Sequence, residues 1–318
     1  MDDDALARLF FEALQHLGAG ASPAEIADRV RVLEIGLPAE EQFCAIANWL
    51  GRVRLIHKLD QFQTPSSSRD RWRVPDLLGI FEHRERDVPV LIEVKTSEDR
   101  TLSWRPDYLA AHQRYADAVN LPLLVAWRHH SFWALFEVRH FAKAKKNFNI
   151  SFSTAMKQSL MGELLGVFSF SLRPGCGLHL RIKKLTPETD EGFHGLIEEA
   201  FWEKPNGDRV KNAPGVLPLF TCLDQEPVLT DEGTHVQQSF VIPHNHQAEF
   251  AHRALVTLLR LVTHGDEVRW PQILEEGRGV PTVPKGLRVA ARQALDSGFL
   301  EYGIDYSPNS MPTFLRSP

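Results

Sequence analysis

Three charged side chains sit at spacings that suit chemistry on a phosphate. Asp76 follows Val74-Pro75, and Glu93-Val94-Lys95 lies seventeen residues on, after a charged turn. Glu93 and Lys95 stand at i and i+2 in an apolar run, so on a strand both project from one face. If the segment before the turn pairs back on that strand, Asp76 lands beside Glu93. Two converging carboxylates repel unless a cation lies between them. Mg²⁺, or Mn²⁺ in its place, is the natural occupant, because it prefers oxygen and keeps water and phosphate oxygens in its remaining positions. An ammonium aimed at the same spot can orient a water and offset developing negative charge. As plain surface, Glu93 and Lys95 would be solvated partners and Asp76 a turn residue. Val90-Leu91-Ile92 argues against that, since charged groups ending an interior strand are costly unless paired or metal-bound.

The elements around these residues read as a mixed α/β sheet with helices on its faces. Ser22-Pro23 opens a helix through Glu34. Pro38 opens a second through Leu50, with Phe43, Ile46 and Ala47 on its apolar stripe and Gly51 as its stop. Strands are expected at Val53–His57, Trp72–Phe81 and Val88–Lys95, the last two as an antiparallel pair across the turn His83–Asp87. A helix over Pro106–Val119, a buried strand over Leu121–Trp127 and a further strand over Ser131–Val138 complete an α–βββ–α–β order.

This set of residues resembles the PD-(D/E)xK nuclease superfamily, which includes type II restriction endonucleases and archaeal-type Holliday junction resolvases. Pro75-Asp76 and Glu93-Val94-Lys95 carry the resemblance, over roughly residues 25 to 140. It implies a restriction endonuclease-like αβββαβ core and Mg²⁺-dependent phosphodiester hydrolysis, with Asp76, Glu93 and Val94 as the metal set and Lys95 positioning water. Many members add an acidic residue on the helix before the first strand. Glu41 fits that place best, and Glu40 is its rival. Many also carry a polar residue on the helix after the glutamate strand, where Gln113 lies. DNA is the expected partner, and defence against foreign DNA or recombination is the setting by family analogy. The competing reading is a non-catalytic nucleic-acid-binding or scaffold protein with a vestigial nuclease core.

Candidate phosphate contacts lie outside the trio. Arg69, Arg71 and Arg73 alternate just before Asp76 and would form a row on one side of a strand. Lys285, Arg288 and Arg292 share one face of a helix expected over Pro284–Ser297. That helix, one over Gln247–Val262, a short one from Pro271 and a small wing around Gly303 outline a winged-helix-like domain. The expected division is residues 1–150 for the nuclease-like domain, 151–245 for an irregular β-rich region and 246–318 for the winged-helix-like end. In the middle region, Phe168–Leu172 and Leu178–Ile182 suggest a hairpin. A homodimer or a protein partner through the middle or C-terminal region stays open.

Composition bounds these readings. The chain has 318 residues, 36 Lys+Arg against 41 Asp+Glu, and a formal net charge of −5. It would not coat nucleic acid by charge alone, so binding must come from local patches. Three cysteines exclude a disulfide framework. No apolar run reaches the ~18 residues that span a bilayer, and the acidic start Met1-Asp2-Asp3-Asp4 is unlike a basic signal peptide. A cytoplasmic protein with no membrane partner is the expectation. His129-His130 and His244-Asn245-His246 lack the i, i+4 spacing around a glutamate that marks a helical zinc site. Phosphate-binding glycine loops and a serine-nucleophile elbow are absent from the sequence.

Overall fold

A computed structural model describes residues 39–187, 192–213, 215–220, 226–262 and 287–316. Contacts divide the chain into two compact units, where the sequence texture suggested three segments. One unit contains the described residues up to Val167, the described part of Leu259–Pro281 and those from Asp305 onward, and the other comprises Phe168–Leu258 and the described part of Thr282–Ile304. The helix expected over residues 22–34 lies outside the described residues. Among those described, no helix is long and apolar enough to cross a membrane.

The first unit is built on a five-stranded mixed sheet. Helix α1 (residues 39–50) leads to β1 (Val53–Lys58), β2 (Leu77–His83) and β3 (Arg86–Thr96). After β4 (Thr101–Trp104), helix α2 (Pro106–Val119) crosses to β5 (Leu123–His129), which turns back into β6 (Phe132–Glu137). The strand order is β1-β2-β3-β5-β6. β3 and β5 are parallel, and the other neighbours are antiparallel. That is the expected αβββαβ order in a mixed sheet. A parallel pair needs a crossover, and α2 supplies it.

Local sequence accounts for the central strands. Buried and half-buried positions alternate along β2, whereas Val90 to Val94 are all buried on β3, as an interior strand requires. The β2–β3 turn places Arg84 and Glu85 at φ of 49° and 63°. Two consecutive positive φ values follow the right-handed twist of a hairpin. Gly79 on β2 is fixed by packing: a Cβ there would lie 2.6 Å from the ring of Phe81.

Three short elements finish this unit: β7 (Ala142–Lys143), β8 (Phe148–Ser151) and α3 (Phe152–Lys157). β4, β8 and β7 form a second small sheet, whose Trp104 and Ile150 pack with Val125 and Trp127 of the main sheet. The tail after Asp305 is tied on through Asn309 N–H to the Lys157 carbonyl and Ser307 Oγ to Glu163.

The second unit is mostly β. β9 (Phe168–Leu172) is followed by β10 (Gly177–Lys184), β11 (Gly195–Glu203), β12 (Arg209–Val210), α4 (Val216–Phe220), β13 (Val228–Asp231), β14 (His235–Val241) and β15 (Glu249–Phe250). Helix α5 (Ala251–Val262) as far as Leu258, helix α6 (Leu287–Asp296) and strand β16 (Leu300–Asp305) as far as Ile304 complete it.

Two expectations fail here. β9 and β10 do not form a hairpin. β9 pairs in the order β15-β9-β16, while β10 lies between β11 and β14. The wing around Gly303 does not form either. Gly303 lies inside the continuous strand β16, whose partner is β9, about 130 residues earlier. The glycine that read as a turn sits where its missing side chain leaves the Ser169 carbonyl 3.8 Å from a Cβ position. The short helix expected from Pro271 lies outside the described residues; among the described residues, the winged-helix expectation has two helices, and its wing segment is the strand β16.

Candidate active site

The register of the β2–β3 hairpin sets the site. The last paired residues are Leu77 and Ile92, so the next position places Asp76 opposite Glu93. Backbone pairing stops there, and the Asp76 side chain takes over: its Oδ2 accepts the Val94 N–H at 2.7 Å. The Asp76 carbonyl accepts the Leu59 N–H at 2.9 Å, which ties the residue to the end of β1 as well.

Glu93 is only 3% exposed and is surrounded by donors. Lys95 Nζ and Tyr108 Oη both donate to its Oε1 at 2.5 Å. His112 Nε2 lies 3.1 Å from its Oε2. His112 Nδ1 donates to the Tyr108 carbonyl at 3.0 Å, which fixes the ring on α2. Oε2 accepts no well-aligned hydrogen bond. Trp104 packs against both Tyr108 and His112, with centroids 5.1 and 5.7 Å away, and so holds the helix side chains over the strand.

The charges are strongly perturbed. Burial, then the neighbouring Glu93 charge, push the Asp76 carboxyl well above the usual carboxylate range, against the pull of Lys95 and the Val94 N–H. Burial alone would raise Glu93 too, but Lys95 and His112 outweigh it and hold that carboxyl below its ordinary value. Burial works to lower the Lys95 ammonium; Glu93 and Asp76 win and hold it well above its ordinary value. The site therefore separates two carboxyls in opposite directions and keeps its lysine charged, a pattern frequent at functional sites.

Asp76, Glu93 and Lys95 thus come together, with Val94 between them. Glu41 is buried and ion-paired with Lys58 at 3.5 Å. Glu40 lies 3.2 Å from the same ammonium, and its charge adds to the rise at Asp76. Burial raises the Glu40 carboxyl, Lys58 opposes the rise, and Glu93 adds to it.

Other expected contacts are placed differently. The arginine row does not exist as a strand face, because β2 begins only at Leu77 and Arg69 lies in a short 3₁₀ turn, Ser66–Asp70. Pro75, which cannot donate to a ladder, helps to keep Arg71–Asp76 out of the sheet. Arg71 lies over Trp72 at 5.6 Å, away from the trio's contacts, while exposed Arg73 lies over the Tyr108 ring at 4.9 Å. Gln113 does not reach the trio; its Nε2 donates to Asp117 on the same helix at 2.9 Å. Arg288 and Arg292 are exposed on α6, where Arg288 lies over Phe168, and Lys285 lies outside the described residues. Arg181, Lys183 and Lys184 are paired with Glu232, Glu198 and Asp231.

Sequence reasoning missed Tyr108 and His112. The available signal was their i, i+4 spacing on the crossover helix, which puts both on one face.

A bound divalent cation can be tested against this donor set. Among the described residues, no three His, Cys, Asp or Glu side chains form a ready-made cage. The site offers the free oxygen of Asp76, the poorly bonded Oε2 of Glu93 and the Val94 carbonyl. Few protein oxygens with the remaining positions left to water and phosphate suit Mg²⁺ better than a dedicated cage would. The residues fit such an ion.

No protein-family model matches the chain, and no curated protein does. Among solved structures, the chain is similar to Hjc, a Holliday junction resolvase of the archaeal hyperthermophile Archaeoglobus fulgidus. That match spans 37% of this chain and 89% of the resolvase, at 18% identity and a TM-score of 0.31. A likeness of that size decides neither family nor activity, and the functional reading rests on the side chains themselves.

Proposed function

We propose that the chain is a divalent-metal-dependent nuclease that hydrolyses phosphodiester bonds, with DNA as its substrate. The observation that carries this reading is the meeting of Asp76, Glu93 and the Lys95 ammonium at the end of β3. A fold gains little by burying two carboxylates side by side, because each must shed water and both repel. The cost makes sense if a cation and a phosphate complete the charge balance.

Asp76, Glu93 and the Val94 carbonyl would hold Mg²⁺ or Mn²⁺. Bound there, the ion supplies Lewis-acid polarisation of a phosphoryl oxygen and a more acidic water. Lys95 orients the attacking water and places positive charge where the phosphoryl oxygens gain negative charge. Water adds to phosphorus, the bond to one sugar oxygen breaks, and that oxygen leaves with a proton. Tyr108 and His112 keep the Glu93 carboxylate in one orientation throughout. Arg73, exposed beside Tyr108, is placed to meet a flanking phosphate.

One observation favours a second reading. Glu93 already accepts from Lys95 and Tyr108 and lies beside His112, so the cluster can stand as an ionic network without a cation. In that case the chain is a nucleic-acid-binding scaffold. Titration with Mn²⁺ separates the two. Binding that disappears in Asp76→Ala supports the enzyme; nucleic-acid binding that ignores both metal and that substitution supports the scaffold.

A further inference from the structure

The face of the sheet that carries the trio does not end at Lys95. Lys95 is paired with Trp127 on parallel β5, so their side chains share a face, and His129 lies on that face two residues further along. Trp127 is fully buried. Phe152, at the start of α3, packs edge-on to Trp127 at 5.1 Å and lies 4.5 Å from the His129 ring. The His130 ring follows at 4.5 Å from His129, and Phe132 meets Phe152 at 6.4 Å.

These rings are held rather than loose. His129 Nδ1 donates to the Ser97 carbonyl at 3.1 Å. The Phe152 N–H donates to the Arg100 carbonyl at 2.9 Å, and Ser151 caps the helix that Phe152 begins. His130 sits in the β5–β6 turn at a φ of 52°, a left-handed conformation that histidine tolerates better than most residues, and it is exposed. His129, Phe132 and Phe152 are half-buried. The result is a run of rings from the buried indole to solvent, beginning one strand away from Lys95.

We propose that His129, His130 and Phe152 form a stacking platform for unpaired nucleobases of the strand that enters the Lys95 site. This rests on the nuclease reading and adds to it a substrate class: nucleic acid with a single-stranded segment beside the scissile phosphate. Lys95 and His129 are two residues and one strand apart, about 8 Å by ordinary sheet spacing. That is about two base steps along a stacked strand. Bases inside a duplex hide their faces, so a ring platform at this distance selects bases already unpaired. Exposed charge at the rim comes in both signs, Arg100 beside Glu98 and Asp99. Stacking is therefore the main attraction this surface offers.

The test uses the full chain in EDTA, so that binding is read without cutting. The ligands are a blunt duplex and the same duplex with a short single-stranded tail carrying 2-aminopurine. Wild type should prefer the tailed ligand and quench its fluorescence. His130→Asn keeps a residue suited to the left-handed turn but removes the ring. It should weaken tail binding about fivefold or more, lose the quenching and leave blunt-duplex binding unchanged. Phe152→Leu should reduce both signals, and Phe152→Tyr, in ordinary helical backbone, should retain them. Equal losses on both ligands, or Phe152→Tyr no better than Phe152→Leu, would overturn the platform. A tail preference that follows the ring in a protein that cuts nothing with Mg²⁺ would keep the platform and remove the nuclease.

Discussion

The Asp76 carboxylate is bonded to the backbone of the strand that carries Glu93 and Lys95, through the Val94 N–H at 2.7 Å. One short hydrogen bond thus makes the aspartate part of β3, although its own place in the chain is just before β2. The distance between the two carboxylates is set by strand geometry rather than by a loop. The same bond occupies one oxygen of Asp76 and leaves the other outside it.

The shifts in charge give a stability prediction with a definite sign. The folded Asp76 carboxyl titrates above its unfolded value, so it stabilises the fold below the unfolded pKa and that stabilisation is lost as pH rises through the folded pKa. Glu93, held low, has the opposite sign: its contribution is present above the unfolded pKa and is lost as pH falls through the folded value. Asp76→Asn should therefore be more stable than wild type at pH 8 in EDTA, by about 1 kcal/mol. The gap should close towards pH 4. Thermal melts of both proteins across that range check it.

Tyr108 and His112 both face Glu93 from α2, at 2.5 and 3.1 Å. Tyr108→Phe should leave the fold nearly unchanged and weaken Mn²⁺ binding about ten- to a hundredfold, the usual effect of losing a partner of a metal-binding side chain. His112→Ala opens space beneath Glu93 and should cost about 2–3 kcal/mol of stability as well. Titration with Mn²⁺ beside denaturant unfolding separates the two effects.

The order of the two helix acids should be the reverse of that expected from helix position. Glu40 is coupled electrostatically to Asp76 and Glu93, and Glu41 is the more buried of the two acids that pair with Lys58. Glu40→Gln should change Mn²⁺ affinity and cleavage at least several-fold, and Glu41→Gln should act mainly on stability. Parallel metal titrations and melts of the two variants test this.

Gly79 bears on the scaffold alone. A Cβ there meets Phe81 at 2.6 Å and Ile92 at 3.3 Å, so Gly79→Ala should destabilise by about 1–3 kcal/mol. Its melting midpoint should fall, while metal affinity at low temperature should stay as in wild type.

The parts of this structure legible in the sequence are those set by nearby residues. The β2–β3 hairpin follows from two apolar runs across a short charged turn, and the trio follows from its register. The crossover helix was visible as an element, but which of its polar residues meets Glu93 depends on how the helix rotates onto the sheet. That rotation selected His112 and Tyr108 instead of Gln113. Gly303 misled because a glycine between apolar residues reads equally as a turn or as a strand interior, and the partner that decided it, β9, is remote in sequence. The arginine row failed for a local reason: strand pairing begins after Pro75 and Asp76, not before them.

The most direct measurement is cleavage of supercoiled, linear, branched and single-stranded DNA by the wild type and by Lys95→Ala, each with Mg²⁺, with Mn²⁺ and with EDTA. The wild type should cut with metal only, and Lys95→Ala should cut at least a hundredfold more slowly. Cutting that persists in EDTA, equal cutting by the two proteins, or no cutting of any substrate with either metal would contradict the nuclease reading.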